Sequence, residues 1–172
     1  MQVKVKKVLP DAIIPEYATE GSVGFDLVAA KDIIIPPKET RKVPTGLAFE
    51  IPVGYEMQIR MRSGIAYRTD LRLPNGVGTI DSDYRGQVYM LFENTWEWNL
   101  DREHKLFTLD GEMIETDIAF PVGTYIVRKG ERIAQGIIAP VVKPQLVEVE
   151  ELSPTTRGDG GFGSTGIREE RG

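Results

Sequence analysis

The strictest pattern in this sequence is residues 55–62, YEMQIRMR, where apolar and polar side chains alternate without interruption. A period of two places the apolar side chains on one face of an extended strand. Shorter runs of the same kind lie at 3–8, 87–93, 124–129 and 146–152. Turn-forming pieces rich in proline and glycine separate these runs, and the chain has 18 glycines and 11 prolines in 172 residues. Short strands with frequent turns predict an all-β fold, an antiparallel barrel or sandwich.

The composition excludes several functional classes. A length of 172 residues, 41% of them hydrophobic, fits one soluble domain. No cysteine is present, which removes disulfides, thiolate chemistry and the cysteine-ligated zinc of the nucleobase deaminases, and a single histidine, His104, cannot build a histidine-rich metal site. The net charge of −5 argues against a polynucleotide-binding surface. Neither a signal-peptide core nor a membrane-spanning run is visible, so we expect a cytoplasmic protein with no membrane contact.

Two segments depart from the strand-and-turn pattern. Residues 97–121 are polar and poorly patterned, and we interpret them as an excursion between two predicted strands. The residues from about 153 onward form a glycine-rich arm that includes RGDGGFGSTG at 157–166. Composition alone favours a disordered tail there. We therefore predict one β domain over 1–152, with the excursion inside it, followed by an arm over 153–172.

The segment RMRSGIAYR contains a candidate anion site. Arg62, Ser63 and Gly64 follow a predicted strand and precede one short predicted helix. The first turn of a helix has unpaired N–H groups that an anion can accept, and Arg62 adds positive charge. An ordinary N-cap beside a surface arginine explains the same residues, and both interpretations stay open on this segment alone.

A second candidate lies in LPNGVGTIDSDYRG, residues 73–86. Gly76 and Gly78 suit a tight hairpin whose backbone can approach a ligand closely. Asp81 could accept a proton from an attacking water, and the ring of Tyr84 could pack on a sugar. Turn-forming aspartates and a half-buried tyrosine are the alternative. Asp26, between apolar neighbours, is either a hydrogen-bonding hub or part of a site.

Taken in their order along the chain, five segments resemble the five motifs of the trimeric dUTPases (deoxyuridine triphosphate nucleotidohydrolases). The segments are YATEGSVGFDL (17–27), RSGIA (62–66), NGVGTIDSDYRG (75–86), GERIAQ (130–135) and RGDGGFGSTG (157–166). The resemblance covers nearly the whole chain apart from 97–121. It implies a β-jelly-roll (β-clip) fold with a flexible C-terminal arm, and a homotrimer with three active sites, each built from all three subunits.

The resemblance also implies an activity. In that family, dUTP is hydrolysed to dUMP and pyrophosphate, which keeps uracil out of DNA and supplies dUMP for dTMP synthesis. Asp81 corresponds to the general base that activates a water for attack on the α-phosphorus. Asp26 corresponds to a residue that helps to hold the water shell of a Mg²⁺ ion, and the triphosphate itself supplies most of the ligands of that ion.

The remaining site residues are carried over by the same resemblance. Asn75 and the hairpin backbone are expected to read the uracil edge, Tyr84 to pack on deoxyribose, and Phe162 to stack on the uracil. Phosphate contacts are expected from the strand-to-helix turn, from motif four and from the arm. The full set of expected substrate-binding residues is Arg62, Ser63, Gly64, Asn75, Gly78, Thr79, Ile80, Tyr84, Gln135, Arg157, Phe162, Gly163, Ser164 and Thr165.

Two other functions remain open. A dCTP deaminase resembles a dUTPase but has a glutamate where this chain has Leu91. The second is a non-catalytic regulator with a dUTPase-like fold, which binds another protein. The segment 97–121 is longer than the family usually has, as in some phage dUTPases whose insert makes protein contacts. We expect either an accessory hairpin that turns at Asp110-Gly111 on the outside of the trimer, or a docking surface for a protein partner. In both cases we expect it to be dispensable for the chemistry.

Overall fold

The computed structural model describes residues 1–164 of the chain. Among these residues, thirteen β-strands and a single α-helix are present. The elements are β1 (Lys4–Lys7), β2 (Phe25–Val28), β3 (Ile33–Ile35), β4 (Thr40–Pro44), β5 (Leu47–Glu50), β6 (Tyr55–Met61), α1 (Ser63–Arg68), β7 (Leu71–Arg72), β8 (Gly78–Ile80), β9 (Tyr89–Asn94), β10 (Arg102–Phe107), β11 (Met113–Pro121), β12 (Tyr125–Val127) and β13 (Arg132–Pro140).

The strands form four sheets, and the predicted all-β fold is confirmed. The orders are β2-β13-β6-β8, β11-β10-β12-β3, β4-β9-β7 and β1-β5. Every pairing is antiparallel except that of β10 with β12. Contacts between Cα atoms divide the chain into a compact unit over residues 1–142 and a second unit that begins at residue 143.

Most of the predicted strands form where the alternation indicated. The run 55–62 becomes β6, in which Met57 and Ile59 are buried and Gln58 and Arg60 are not. The short helix predicted after Ser63 is α1. The run 146–152 was predicted to be a strand and is not one in this single chain. Alternation alone cannot form a strand, because the backbone N–H and C=O groups also need a neighbouring strand to pair with.

The segment 97–121 packs into the core near the turn of its hairpin. β10 and β11 form the predicted hairpin, and its turn includes Asp110 and Gly111. Near that turn, Leu106, Thr108 and Leu109 are 2%, 3% and 8% exposed. Aromatic rings continue the packing, because Trp96 contacts Phe107 and Phe107 contacts Tyr125. Burial of these side chains ties the turn to the core of its own subunit, and the expected place of the hairpin on the outside of the trimer stays a prediction.

No helix among residues 1–164 has both the length and the apolar character that a membrane span requires.

The fold depends on a tight backbone turn at Gly46, which yields a stability prediction. Gly46 has φ +71°, and a Cβ added there would lie 2.7 Å from the Cβ of Ala12. We expect Gly46→Ala to lower the free energy of unfolding by about 2–4 kcal/mol, since strain at positive φ adds to overpacking. Gly54→Ala is the matched control, because Gly54 has φ +87° but no atom near the added Cβ.

Urea unfolding of both variants at one protein concentration measures the difference. Equal losses in the two variants would contradict the packing part of this explanation.

Candidate active site

Arginine side chains converge on a cavity of about 390 Å³ in the first unit, which we call the arginine cavity. Three residues of the predicted phosphate site, Arg62, Ser63 and Gly64, line it where β6 leads into α1, and Gln135 of β13 joins them. The full lining is Arg62, Ser63, Gly64, Ile65, Arg68, Leu109, Asp110, Glu131, Arg132 and Gln135. All four predicted phosphate contacts of this unit are thus brought together.

Asp26 holds two of the cavity arginines. Its Oδ1 lies 3.3 Å from Nε of Arg62, and its Oδ2 lies 3.5 Å from Nε of Arg132. The side chain is only 17% exposed, and the backbone of Asp26 pairs with that of Gln135 across β2 and β13. An aspartate in this apolar strand therefore has charged partners, which offset the cost of its burial.

One oxygen of Asp26 also lacks a hydrogen bond. Among residues 1–164, no donor makes a hydrogen bond to the buried Oδ1. An oxygen of this kind can accept a bond from an ordered water. The described residues contain no cluster of three or more side chains able to hold a metal ion by themselves. The chemistry of Asp26 is compatible with the expected contact to a Mg²⁺ ion through water, and that role stays a prediction.

A second cavity of about 310 Å³, the hairpin cavity, contains the predicted base and sugar site. Asn75, Gly78, Thr79, Ile80, Asp81 and Tyr84 all line it. The other lining residues are Lys42, Ile59, Leu73, Gln87, Val88, Tyr89 and Leu91. Asp81, the expected general base, thus lines the same cavity as apolar side chains such as Ile59 and Leu73.

Glycines allow close packing in the hairpin cavity. The hydroxyl of Tyr84 donates a hydrogen bond to the carbonyl oxygen of Gln87 at 3.1 Å. A Cβ at Gly86 would overlap that hydroxyl, and a Cβ at Gly78 would lie 3.0 Å from Cβ of Ile59. Glycine at both positions lets β8 and the tyrosine ring lie against their neighbours. Leu91, the position of the deaminase glutamate, presents an apolar side chain to this cavity.

The two cavities share no lining residue. The predicted phosphate residues lie in one, and the predicted base, sugar and catalytic residues lie in the other. Within the first unit, therefore, a single chain presents two separate parts of the predicted site. These linings do not indicate that a single ligand contacts both sets of residues in one chain.

Residues 156–164 of the arm contain tight turns. Nε of Arg157 donates to the carbonyl oxygen of Gly160 at 2.8 Å, and the backbone N–H of Ser164 donates to Gly161 at 3.0 Å. Phe162 has φ +47° and is fully exposed, and Gly163 has φ +92°. The predicted contact residue Thr165 lies outside the described residues.

Four charged residues of this cavity were not predicted as site residues. Arg68, Glu131 and Arg132 lie inside segments already singled out, so their charge was a usable signal, whereas Asp110 was predicted only as part of a turn. The hydrogen bond from Thr108 holds the pKa of Asp110 below its ordinary value, and burial raises the pKa of Glu131. The arginine cavity therefore combines three guanidinium groups with two carboxyl groups.

Comparison with known families gives one match. The family model described as dUTPase matches residues 10–99 and 119–166. Residues 100–118, within the long excursion, are not matched.

Similar proteins cover almost the full chain. A deoxyuridine 5′-triphosphate nucleotidohydrolase of Nautilia profundicola is 46% identical over 96% of this chain and 99% of its own length. A protein of the same description from Hydrogenobaculum is 43% identical over 98% of this chain and 100% of its own length. The one from Helicobacter pylori is 38% identical over 97% of this chain and 98% of its own length.

Solved structures agree in fold. The dUTPase of Staphylococcus bacteriophage 80alpha with dUPNHPP has a TM-score of 0.90 at 33% identity, covering 96% of this chain and 99% of that one. The dUTPase of phage phi11, solved to visualise its species-specific insert, has a TM-score of 0.84 at 28% identity, covering 90% and 100%. A variant of the phi11 protein was solved to show a structural Mg(II) ion.

Proposed function

The chain belongs to the dUTPase family, and from this premise we propose that it hydrolyses dUTP to dUMP and pyrophosphate. The observation that carries the proposal is the hairpin cavity, which gathers Asn75, Asp81 and Tyr84 from one turn-and-strand segment. Such an activity keeps uracil out of DNA and supplies dUMP for dTMP synthesis, which suits a cytoplasmic enzyme.

Selection of the nucleoside follows from the shape of the hairpin cavity. The amide of Asn75 can donate to and accept from the uracil edge, as a polar base edge requires. The backbone at Gly78 lies tight against Ile59, so the cavity wall has little room to yield to a 5-methyl group. Tyr84, fixed by Gln87 and Gly86, packs on the sugar and excludes a 2′-hydroxyl.

Asp81 is the proposed general base. A water positioned by its carboxylate attacks the α-phosphorus, and Asp81 accepts the proton of that water. The new P–O bond forms as the bond from the α-phosphorus to the bridging oxygen breaks, so that the β- and γ-phosphates leave as pyrophosphate. A positioned carboxylate of this kind typically contributes roughly 10²–10⁴-fold to the rate.

The arginine cavity is the proposed triphosphate site. Arg62 is held by Asp26, and its NH1 also donates to the carbonyl oxygen of Arg132 at 3.3 Å, so the guanidinium is oriented before a ligand arrives. Ser63, Gly64 and Gln135 offer further donors. Guanidinium groups recognise phosphate oxygens with high geometric specificity.

Mg²⁺ is the proposed cofactor, with Asp26 as its protein partner through water. Bound to the triphosphate, the ion supplies positive charge that offsets the charge of the phosphates. Oδ1 of Asp26 supports this role: it is ion-paired with Arg62 but accepts no hydrogen bond within residues 1–164, so it can accept one from a coordinated water.

A homotrimer is the proposed assembly. The separation of the two cavities supports it, since an arginine cavity of one subunit and a hairpin cavity of the next can form one site where two copies meet. Residues 146–152 support it too: Leu146, Val147 and Leu152 are strongly exposed, and an alternating segment of this kind can pair in a neighbouring subunit.

The arm is the proposed lid over a neighbouring subunit's site. Phe162 is exposed and is free to stack on the uracil, and Arg157, Ser164 and Thr165 are the proposed contacts to the γ-phosphate. Glycine N–H groups such as that of Gly163 can approach phosphate oxygens closely.

A protein partner at residues 97–121 stays a prediction. Exposed apolar side chains on this segment support it, among them Trp98, Leu100, Met113 and Ile118. The similar phage dUTPases are described as controlling the transfer of virulence genes, so members of this family can have a role beyond hydrolysis. The docking surface would use the outer part of the hairpin, because the inner part is buried in the core.

Pyrophosphate release from a panel of deoxynucleoside triphosphates tests the activity. We expect release from dUTP well above that from dTTP and dCTP, with no ammonia formed. Asp81→Asn should lower turnover by roughly 10²–10⁴-fold while dUTP still binds, because the amide cannot accept the proton. Asp83→Asn is the matched control on the same turn and should retain most of the activity. Normal turnover in Asp81→Asn would place the base elsewhere.

The stacking role of the arm is tested at Phe162. Base–aromatic stacking contributes roughly 1–3 kcal/mol, so Phe162→Ala should raise the KM for dUTP by roughly five- to 150-fold. Phe162→Trp should restore it, since any flat ring can stack. The thermal midpoint should not change, because this ring is exposed. An unchanged KM in Phe162→Ala would overturn the proposed lid.

A further inference from the structure

A highly anionic ligand is bound best by a strongly positive site, but the arginine cavity contains carboxylates as well as arginines. Arg62, Arg68 and Arg132 face two carboxyl groups, Asp110 and Glu131. Asp26, ion-paired to two of the arginines, reduces the net charge further. Each carboxylate weakens the attraction between this cavity and a phosphate chain.

Asp110 reaches the cavity from the turn between β10 and β11, and this turn is fixed. Oγ1 of Thr108 donates a hydrogen bond to Oδ1 of Asp110, and the backbone N–H of Gly111 donates to the carbonyl oxygen of Thr108 at 3.1 Å. Leu109 anchors the turn in the hydrophobic core. A Cβ at Gly111 would lie 3.4 Å from the carbonyl oxygen of Arg68, so the turn lies against the end of α1. The carboxyl group of Asp110 is therefore held beside the cavity.

The family model does not match residues 100–118, whereas Arg62, Arg68, Glu131 and Arg132 all lie in matched segments. Asp110 is thus a carboxylate that the long excursion adds, together with Leu109, to a cavity whose other lining residues lie in matched segments.

We propose that Asp110 is a specificity-determining residue that weakens the hold of the arginine cavity on free pyrophosphate and so speeds its release. The inference rests on the proposed function for the identity of that product. A nucleoside triphosphate has additional anchors, namely the base in a hairpin cavity, the arm and Mg²⁺. The same repulsion weakens both ligands, but the substrate stays bound through its additional anchors, whereas pyrophosphate, with fewer of them, is left weakly held.

The test is Asp110→Asn in the full-length protein, with inorganic pyrophosphate as the probe. Asparagine keeps the Oδ1 acceptor for Thr108 and loses only the charge, so the turn survives. Calorimetric titration should show pyrophosphate binding about three- to tenfold tighter than in the unaltered protein. The difference should shrink at high salt, because Asp110 is exposed and its field is screened.

Asp117→Asn is the matched control. Asp117 is an exposed residue of β11 that does not line the arginine cavity, so its substitution changes the net charge equally. If Asp110→Asn lowers the thermal midpoint, Asp110→Ser provides a second charge-free variant. Equal affinity in the unaltered protein and the stable Asp110 variant would overturn the proposal, as would an equal gain in Asp117→Asn.

Failure of this proposal can be told apart from failure of the proposed function. Tighter pyrophosphate binding in Asp110→Asn without dUTP hydrolysis by the unaltered protein would contradict the enzymatic function and leave the role of Asp110 standing. Hydrolysis of dUTP by the unaltered protein, with unchanged pyrophosphate affinity in Asp110→Asn, would support the enzymatic function and overturn the role of Asp110. A protein that binds no pyrophosphate at all would overturn the role of Asp110.

Discussion

The pairing of β13 with β2 on one side and β6 on the other is the constraint on which the site depends. Its register places Gln135 opposite both Asp26 and Arg60, so residues more than a hundred positions apart in sequence meet in one sheet. Gly136 makes this possible, because a Cβ there would lie 2.5 Å from the ring of Phe25. Arg62 and the arginine cavity follow directly where β6 ends.

The parts of the fold and the site that depend on neighbours in sequence could be predicted, and those that depend on tertiary packing could not. The alternation in 55–62 predicted β6, and the Asp110-Gly111 pair predicted the turn of the added hairpin, because both signals depend on neighbours in sequence. The burial of Leu109 and the approach of Asp110 to the arginine cavity depend on tertiary packing, which no local pattern contains. The strand predicted at 146–152 is wrong for the single chain, because strand formation needs a partner strand and none pairs with this segment among residues 1–164.

The division of the site between two cavities links the fold to the proposed assembly. Of the two cavities, the proposed general base Asp81 lines the hairpin cavity and the proposed phosphate-binding residue Arg62 lines the arginine cavity. If two copies must meet to complete a site, then activity requires association, and a residue can be essential in one subunit while its copy in the next serves a different site. The shared site is the central claim about how this chain performs hydrolysis.

Subunit complementation measures that claim directly. Asp81→Asn chains and Arg62→Ala chains, each inactive alone, are mixed, unfolded and refolded together. If each site takes its base from one chain and its arginine from another, random mixing gives intact sites in about a quarter of cases, and hydrolysis of dUTP returns to about that fraction of the unaltered rate. If both residues must come from the same chain, no combination produces an intact site, and activity that stays at the level of the separate variants would contradict the account.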